Sequence, residues 1–211
     1  MHTELPSKNL LDDKWCQILK RGFDIVISLG FLCLVFPFVL LFVFVVTQCT
    51  MPGKLFFVQK RTGLNGKTFK CYKFRSMRQN PHSEERQATK GDERVTRWGY
   101  IMRKTSLDET PQFINVLMGD MSIVGPRPHM LKHTDEFTEM VDGYMLRHQV
   151  KPGVTGWSQV NGYRGEIKKP EDIENRVKFD LWYIDNWSFF LDLRIIFKTM
   201  TLCFGNDSHA H

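Results

Sequence analysis

Two adjacent carboxylates, Asp108 and Glu109, lie in the stretch RKTSLDETPQF, which begins at Arg103. We expect a helix to begin between Ser106 and Asp108 and to run to Leu117, so that free N–H groups and the helix dipole favour negative charge at its start. An acid that is kept ionised can act as a nucleophile or hold a divalent cation. This pair is therefore the first candidate for chemistry.

The same residues also have a structural interpretation. Ser106 and Glu109 have the Ser-x-x-Glu spacing of a capping box, in which each side chain satisfies a backbone N–H group of the other residue. The downstream Gly-Pro-Arg-Pro segment favours chemistry, because Pro128 biases Arg127 toward an extended backbone and Pro126 fixes the turn before it. An arginine restrained in this way is typical of a phosphate-binding or docking group.

Two further patterns are weak as metal sites. His129 and His133 are spaced by four residues, but Met-Leu-Lys separates them and no acid accompanies them, so a solvated helix face is the favoured interpretation. The five cysteines form no CxxC pair. This usage is typical of a reducing compartment and argues against a disulfide framework or a zinc site.

An uncharged run of 22 residues, Ile25 to Val46, is the element that must position these groups. As a helix it would be about 33 Å long, enough to cross the roughly 30 Å hydrocarbon core of a bilayer. Pro37 lies in the middle of the run and predicts a kink or break. We expect a helix-break-helix hairpin that enters and leaves through one leaflet, because basic residues mark the cytoplasmic side and flank both ends. These flanking residues are Lys14, Lys20, Arg21, Lys54, Lys60 and Arg61.

A single span and a buried core helix are the alternatives for this run. A single span would place one of the two basic clusters on the wrong face of the membrane. A core helix of a soluble protein is disfavoured because uncharged helices of this length are rare there. Before the run, apolar positions between Leu10 and Lys20 have helical spacing, which predicts an interfacial amphipathic helix.

Positive charge is concentrated after the hairpin. The chain has a formal net charge of +6, and residues 47–83 contain eight basic residues and no acidic one. A basic segment next to a membrane run favours anionic headgroups or phosphorylated ligands as partners. Nucleic acid is disfavoured as a partner, because no nucleic-acid-binding motif is present.

The remaining patterns predict a mostly α fold with a small β-hairpin. Strands are expected from Leu55 and from Phe69, with a turn at Gly63 to Gly66 between them. Trp98 and Ile101 should face inward from a helix. Helices are predicted over residues 95–102, 129–149, 174–187 and 190–204, a polar loop over 80–93, rigid irregular chain over 119–128 and extended chain over 154–160.

We divide the chain into three parts. These are a tail with an interfacial helix (1–22), the membrane hairpin (23–50) and a cytosolic catalytic domain (51–211). An apolar stripe on the last helix is wide enough to lie on the membrane, as a second interfacial helix, or on the membrane hairpin. It also leaves room for a second copy of the chain in a homodimer. The stripe consists of Phe190, Leu193, Phe197, Met200 and Phe204.

In order along the chain, four stretches resemble the bacterial sugar transferase family, the monotopic polyprenyl-phosphate phosphoglycosyl transferases. They are KRGFD before the proline-broken hairpin, FFVQKRTGLNGKTFKCYKFRSM, DERVTRWGYIMRKTSLDETPQFINVLMGDMSIVGPRP and KPGVTGWSQVNGYRGE. The VNGYRGE variant is most similar to the branch that primes exopolysaccharide synthesis with glucose- or galactose-1-phosphate. Many members of that branch carry further N-terminal membrane helices, so we expect a minimal member or a trimmed catalytic unit.

The resemblance implies a two-step transfer on the cytoplasmic face of the bacterial inner membrane. Asp108 would attack the sugar-linked phosphorus of a UDP-sugar and release UMP, and undecaprenyl phosphate would then take the phosphosugar from the enzyme. Mg²⁺ would bridge the diphosphate and both Asp108 and Glu109. Glu109 would hold the metal or a proton.

The resemblance also implies roles for four other residues. Arg103 would bind phosphate, and Arg127 would help to hold the phosphate or the site loop. Lys73 is a candidate for the lipid phosphate, and Asp180 in KFDLWY would line the site or cap the fold. A non-catalytic membrane adaptor that binds anionic lipids through its basic segment is the alternative, although it leaves Asp108 without a role. A phosphohydrolase using the same acids is the third hypothesis.

Overall fold

The structure is a computed structural model that describes residues 10–78, 92–165, 167 and 169–204. Helices dominate this part of the chain, as predicted. The helices are α1 (Lys14–Leu34), α2 (Phe36–Thr50), α3 (Arg97–Lys104), α4 (Gln112–Met118), α5 (Leu131–Met140), α6 (Trp157–Val160), α7 (Pro170–Asp185) and α8 (Phe189–Phe204). The strands are β1 (Phe56–Thr62), β2 (Thr68–Phe74), β3 (Ser122–Val124) and β4 (Gly153–Thr155).

The apolar run forms a bent pair of helices. Among the described helices none is long and apolar enough to cross a bilayer by itself, whereas α1 and α2, bent by 52°, meet that test together by length and composition. The break falls at Val35, and Pro37 lies in the first turn of α2, where its missing N–H group removes no helical hydrogen bond. The helix predicted from Leu10 to Lys20 is the first part of α1, which begins after the Asp13 cap and continues without a break to Leu34.

Both arms of this pair pack on the rest of the chain. In α1 the ring of Phe31 stacks on Phe113, with centroids 4.3 Å apart. In α2 the Trp98 indole donates a hydrogen bond of 3.1 Å to Thr47. The pair leaves other apolar side chains exposed, and Phe38 is 74% exposed. One face of the bent pair is therefore covered by protein and another is apolar and open.

The predicted β-hairpin is confirmed, and a second small sheet was not predicted. β1 pairs with β2 in antiparallel register from Phe56–Phe74 to Thr62–Thr68. β3, within the stretch predicted as irregular, pairs in parallel with β4, which begins one residue before the stretch predicted as extended. A Cβ atom on Gly153 would lie 2.1 Å from the backbone nitrogen of Gly125. Only glycine therefore permits this close approach.

Three local predictions need correction. The helix predicted over 129–149 is interrupted, because Gly143 adopts a left-handed φ of 75° and a 3-10 turn follows α5. Residues 157–160, predicted as extended, form α6. In α3, Ile101 is 50% exposed and Met102 is fully buried, so the inward-facing residue was predicted one position too early. The loop predicted over 80–93 lies outside the described residues except for its last two.

The predicted apolar stripe on α8 is solvent-exposed. Phe190, Leu193, Phe197 and Met200 are all exposed, and the side chain of Phe204 lies outside the described part. The opposite face of α8 is buried, with Ile195 in the main core. The roles of this stripe as a membrane-contacting or dimer-forming surface stay predictions.

Candidate active site

The two candidate carboxylates lie on a 3-10 turn, Leu107–Glu109, between α3 and α4. Asp108 and Glu109 are both buried, with 8% and 5% of their surfaces exposed. The predicted helix start was wrong, because α4 begins at Gln112. The capping box is also absent: Ser106 has a left-handed backbone and its Oγ accepts a 2.5 Å hydrogen bond from Arg164. The Glu109 carboxylate is therefore free for other partners.

Three cations surround the Glu109 carboxylate. Lys73 Nζ lies 2.7 Å from Oε1, and Arg127 makes a two-pronged contact of 2.7 Å to Oε1 and 3.2 Å to Oε2. Arg164 lies 3.7 Å from Oε2. Burial raises the pKa of Glu109, but Arg127 and Lys73 outweigh it and hold the pKa well below its usual value. Glu109 is thus an ionised anchor for the cations.

The carboxylate of Asp108, unlike that of Glu109, has no cation in direct contact among the described residues. No described residue donates a hydrogen bond to its carboxylate, and its raised pKa of about 6 reflects burial first and the charge of Glu109 second. The charges of Lys73, Arg103 and Arg127 act against this rise. At pH 7 such a group is ionised in about nine molecules out of ten. A buried anion without hydrogen-bond donors is poorly solvated, which makes it reactive toward an electrophile.

Hydrogen bonds to two backbone carbonyl groups hold the Gly-Pro-Arg-Pro segment in place. Arg61 donates a 2.5 Å hydrogen bond to the carbonyl of Pro128. Arg147 donates one of 2.8 Å to the carbonyl of Arg127 itself. The segment is therefore held on both sides while the Arg127 side chain reaches Glu109.

In the described part of the chain, neither Asp180 nor Arg103 has a hydrogen bond or ion pair with the Asp108 or Glu109 carboxylate, although the charge of Arg103 acts on Asp108. Asp180 is 1% exposed and lies under the site, where both Nε and Nη2 of Arg147 contact its Oδ2 at 2.9 and 2.6 Å. Ser158 donates a 2.7 Å hydrogen bond to its other oxygen. Asp180 therefore acts on the site indirectly, because it holds Arg147 and Arg147 holds the backbone of Arg127. Arg103, at the end of α3, donates to the Met77 sulfur at 3.4 Å.

His129 belongs to the same buried network and not to a solvated helix face, so that interpretation was wrong. Its Nδ1 lies 2.6 Å from the Tyr144 hydroxyl, and Nε2 lies 3.2 Å from Arg176. Burial and then the charges of Arg147 and Arg176 hold its pKa well below the usual value, so the ring is neutral. Arg176 also donates to the carbonyl of Gly165, next to Arg164. Arg127 and Arg164, the two arginines that contact Oε2 of Glu109, are thus supported by the same buried network.

Sequence reasoning missed Arg147, Ser158 and Arg164. Arg164 lies in the VNGYRGE stretch, and its position after an Asn-Gly turn was the available signal. Arg147 and Ser158 pair with Asp180 from 33 and 22 residues away, and no local pattern marks such pairs.

The described residues contain no group of three or more His, Cys, Asp or Glu able to hold a metal ion. Mg²⁺ in proteins commonly takes one or two carboxylates and completes its shell with water and substrate phosphates. The Asp108 oxygens, which no described residue contacts by a hydrogen bond or ion pair, fit that requirement. Both oxygens of Glu109 contact cations, so Glu109 would join a metal only after exchanging one of these contacts.

The chain matches a family described as bacterial sugar transferase over residues 15–206. UDP-glucose:undecaprenyl-phosphate glucose-1-phosphate transferase of Escherichia coli (strain K12) is 49% identical over 193 residues, which cover 91% of this chain and 41% of that protein. UDP-N-acetylgalactosamine-undecaprenyl-phosphate N-acetylgalactosaminephosphotransferase of Aeromonas hydrophila is 41% identical, covering 91% and 45%. Exopolysaccharide production protein PSS of Rhizobium leguminosarum bv. phaseoli is 44% identical, covering 87% and 94%. The chain thus spans about two fifths of the E. coli relative and nearly all of the Rhizobium relative.

Proposed function

This chain belongs to the bacterial sugar transferase family, and from that premise we propose that it transfers a sugar 1-phosphate from a UDP-sugar to undecaprenyl phosphate. The relatives are named for reactions of this kind, with glucose in E. coli and N-acetylgalactosamine in Aeromonas. We propose UDP-glucose or UDP-galactose as the donor and UMP as the leaving product. The reaction would begin the assembly of a lipid-linked polysaccharide.

One observation supports the chemistry above the others: the Asp108 carboxylate accepts no hydrogen bond from any described residue and lies beside a cluster of cations. An oxygen of Asp108 attacks the phosphorus next to the sugar, the bond from that phosphorus to the UMP oxygen breaks, and UMP leaves with the electron pair. The sugar phosphate is then an ester on Asp108. A phosphate oxygen of undecaprenyl phosphate attacks the same phosphorus and returns the carboxylate. A covalent carrier lets a water-soluble donor and a membrane-bound acceptor react in turn.

The cations around Glu109 match the charge of the ligands. Lys73, Arg127 and Arg164 carry three positive charges against the two carboxylates, and Arg103 adds to the field at Asp108. A net positive, water-poor site stabilises the charge that develops on a transferring phosphoryl group. Lys73 remains the candidate for the lipid phosphate. Mg²⁺ bound by Asp108 and the substrate diphosphate would further neutralise that diphosphate.

The contacts of the bent helix pair support a re-entrant anchor. Arg21, near the outer end of α1, donates a hydrogen bond to the carbonyl of Val116. Thr47, near the outer end of α2, accepts one from Trp98, so the outer parts of both arms lie on the same body of protein. A single crossing would separate the outer ends of the two arms by about 30 Å of hydrocarbon and would not allow both contacts. We place the catalytic part on the cytoplasmic face of the bacterial inner membrane, where basic flanks are favoured.

A re-entrant anchor also suits the acceptor. The phosphate of a polyprenol lies at the headgroup plane while its tail stays in lipid. A soluble enzyme would have to draw the tail into water at about 0.8 kcal/mol for each CH₂ group. Holding Asp108 at the membrane surface avoids that cost.

The proposed function is tested with the purified chain in lipid bilayers, a panel of UDP-sugars and undecaprenyl phosphate. We expect UMP and lipid-linked diphosphosugar to form together, and product to depend on the acceptor. A phosphohydrolase would turn over many times with water alone, and an adaptor would release no UMP. Either result would refute the proposal.

A further inference from the structure

The turn of α1 that comes just before the apolar run carries three charged residues of the KRGFD motif. Lys20 and Arg21 are two of the basic residues that flank the apolar run. Arg21 donates hydrogen bonds of 2.6 and 2.9 Å to the carbonyl oxygens of Val116 and Leu117. These carbonyls are in the last turn of α4, where a cation is favoured.

The other two charges of this turn also face the protein. Asp24 is 3% exposed and accepts hydrogen bonds from the Ile123 N–H at 2.9 Å and from Ser122 Oγ at 3.1 Å, both in β3. Lys20 makes a 2.6 Å ion pair with Asp192 in α8, and its side chain is only 13% exposed. One turn of α1 is thus joined to three different elements of the catalytic part.

These contacts fix α4, the helix that follows the two carboxylates. Arg21 holds the C-terminal end of α4, and Phe31, about 15 Å further along α1, stacks on Phe113 near its N-terminal end. α4 therefore lies alongside α1 and runs in the opposite direction. Asp108 comes four residues before α4 begins. Its position along α1, and so its depth relative to the apolar run, is set by these contacts.

We propose that Arg21 and Asp24 are positioning residues that set the height of Asp108 relative to the bilayer surface. The inference rests on the proposed function. The soluble UDP-sugar can reach Asp108 at any height, whereas the phosphate of undecaprenyl phosphate is confined to the headgroup plane. A misplacement of about 1 Å can reduce the rate of a transfer step about a hundredfold. Arg21 and Asp24 should therefore matter for the second step and not for the first.

The contacts of α2 allow the two steps to be separated. The Trp98–Thr47 hydrogen bond and the stacking of Phe36 on Phe74, with centroids 5.9 Å apart, do not involve α1. We therefore expect the catalytic part to stay attached to the hairpin when the contacts of Arg21 and Asp24 are removed, and its height and tilt to change.

The experiment compares Arg21→Gln and Asp24→Asn with the unmodified chain in bilayers of phosphatidylethanolamine and phosphatidylglycerol. Lys14→Gln is the matched control, because it removes one charge from an exposed position of the same helix. Three rates are measured: the single-turnover release of UMP without acceptor, transfer to undecaprenyl phosphate, and transfer to a short-chain, water-soluble polyprenyl phosphate. The donor is the UDP-sugar that the unmodified chain uses best.

We expect both variants to release UMP within about twofold of the unmodified rate and to lose tenfold or more in transfer to undecaprenyl phosphate. Transfer to the soluble acceptor should stay within about threefold, and the control should resemble the unmodified chain. A parallel loss in all three rates would overturn the proposal in favour of a purely structural role. Unchanged transfer to undecaprenyl phosphate would overturn it as well.

A milder variant covers the case in which these two fail to fold. Ser122→Ala removes one of the two hydrogen bonds to Asp24 and leaves the charge in place. It should show a smaller loss confined to the undecaprenyl phosphate step, and an equal loss in both steps would contradict the proposal. Failure of the unmodified chain to release UMP would instead refute the proposed function itself.

Discussion

Two buried ionic clusters meet at Arg127 and differ in one respect. The side chain of Arg127 belongs to the cluster around Glu109, and its carbonyl belongs to the cluster of Arg147 and Asp180. In the second cluster both oxygens of Asp180 accept hydrogen bonds. In the first, no described residue donates to Asp108.

This difference indicates that the Asp180 cluster has a structural role and that Asp108 has a chemical one. A buried charge is costly unless it is paired and hydrogen-bonded, and the Asp180 cluster satisfies that requirement. Asp108 does not, and its raised pKa of about 6 reflects the cost. At neutral pH, an unpaired buried carboxylate does not stabilise the folded chain. The paired cluster therefore holds Arg127 in place, and the unpaired carboxylate is the one available to react.

Neutralising Asp108 and Asp180 in turn is the strongest test of this difference. Asp108→Asn should reduce transfer by at least about a thousandfold, because the nucleophile is lost. Its stability should be equal to or higher than that of the unmodified chain, since the variant no longer buries an unpaired charge. Asp180→Asn should have lower stability, because Arg147 loses its counter-charge. Activity assays and thermal unfolding of both variants test this, and a destabilised Asp108→Asn would contradict it.

Glu109→Gln should affect both activity and stability. The substitution leaves Lys73 and Arg127 partly buried without their shared anion, at a cost of about 3 kcal/mol in unfolding free energy. Transfer should fall about a hundredfold, because the cations lose their fixed positions. Denaturant unfolding and steady-state rates measure the two effects. Full stability with low activity would show that Glu109 acts in the chemistry and is not an anchor.

The support given by Arg147 can be measured with a double-mutant cycle. Arg147→Lys keeps the charge but cannot reproduce the contacts to both Asp180 and the Arg127 carbonyl, so kcat/KM should fall about tenfold. If Arg147 acts through Arg127, its effect should be much smaller in the Arg127→Lys background. Additive losses in the double variant would mean that Arg147 affects activity by another route.

The pH dependence sharpens the contrast between the two site carboxylates. The rate of UMP release should fall about twofold between pH 7 and pH 6 as Asp108 is protonated with its pKa of about 6. Because folding raises this pKa, Asp108 contributes stability that is present at low pH and lost as the pH rises from about 4 to about 6. The pKa of Glu109 is lowered, so its contribution is present above its unfolded pKa and lost in more acidic solution.

Because the pKa shifts of Asp108 and Glu109 are opposite, the stabilities of the two variants should change in opposite directions with pH. The stability of Asp108→Asn relative to the unmodified chain should increase between pH 4 and pH 7. For Glu109→Gln the relative stability should decrease over the lower part of that range. Thermal unfolding at several pH values measures both trends, and parallel curves for the two variants would contradict the assignment.

Local patterns predicted the parts of the site that are local in the chain. The residue types at Asp108, Glu109 and Arg127, the apolar run with Pro37 and the alternating β1–β2 pattern were all recognisable from the sequence. The fine geometry was not, because Ser-x-x-Glu resembles a cap even where Ser106 is left-handed. The three-residue strands β3 and β4 are too short for a period to be detected. The charged contacts of Arg147 and Arg21 cross 33 and about 95 residues, and they depend on the tertiary fold.

The central claim is that Asp108 carries the sugar phosphate between donor and acceptor. The most direct measurement is the intact mass of the chain after incubation with its UDP-sugar and Mg²⁺ in the absence of acceptor. We predict a gain of one hexose phosphate, mapped to Asp108, which is lost on addition of undecaprenyl phosphate and is absent from Asp108→Asn. An unmodified mass in a chain that still turns over with acceptor, or full activity of Asp108→Asn, would contradict the account.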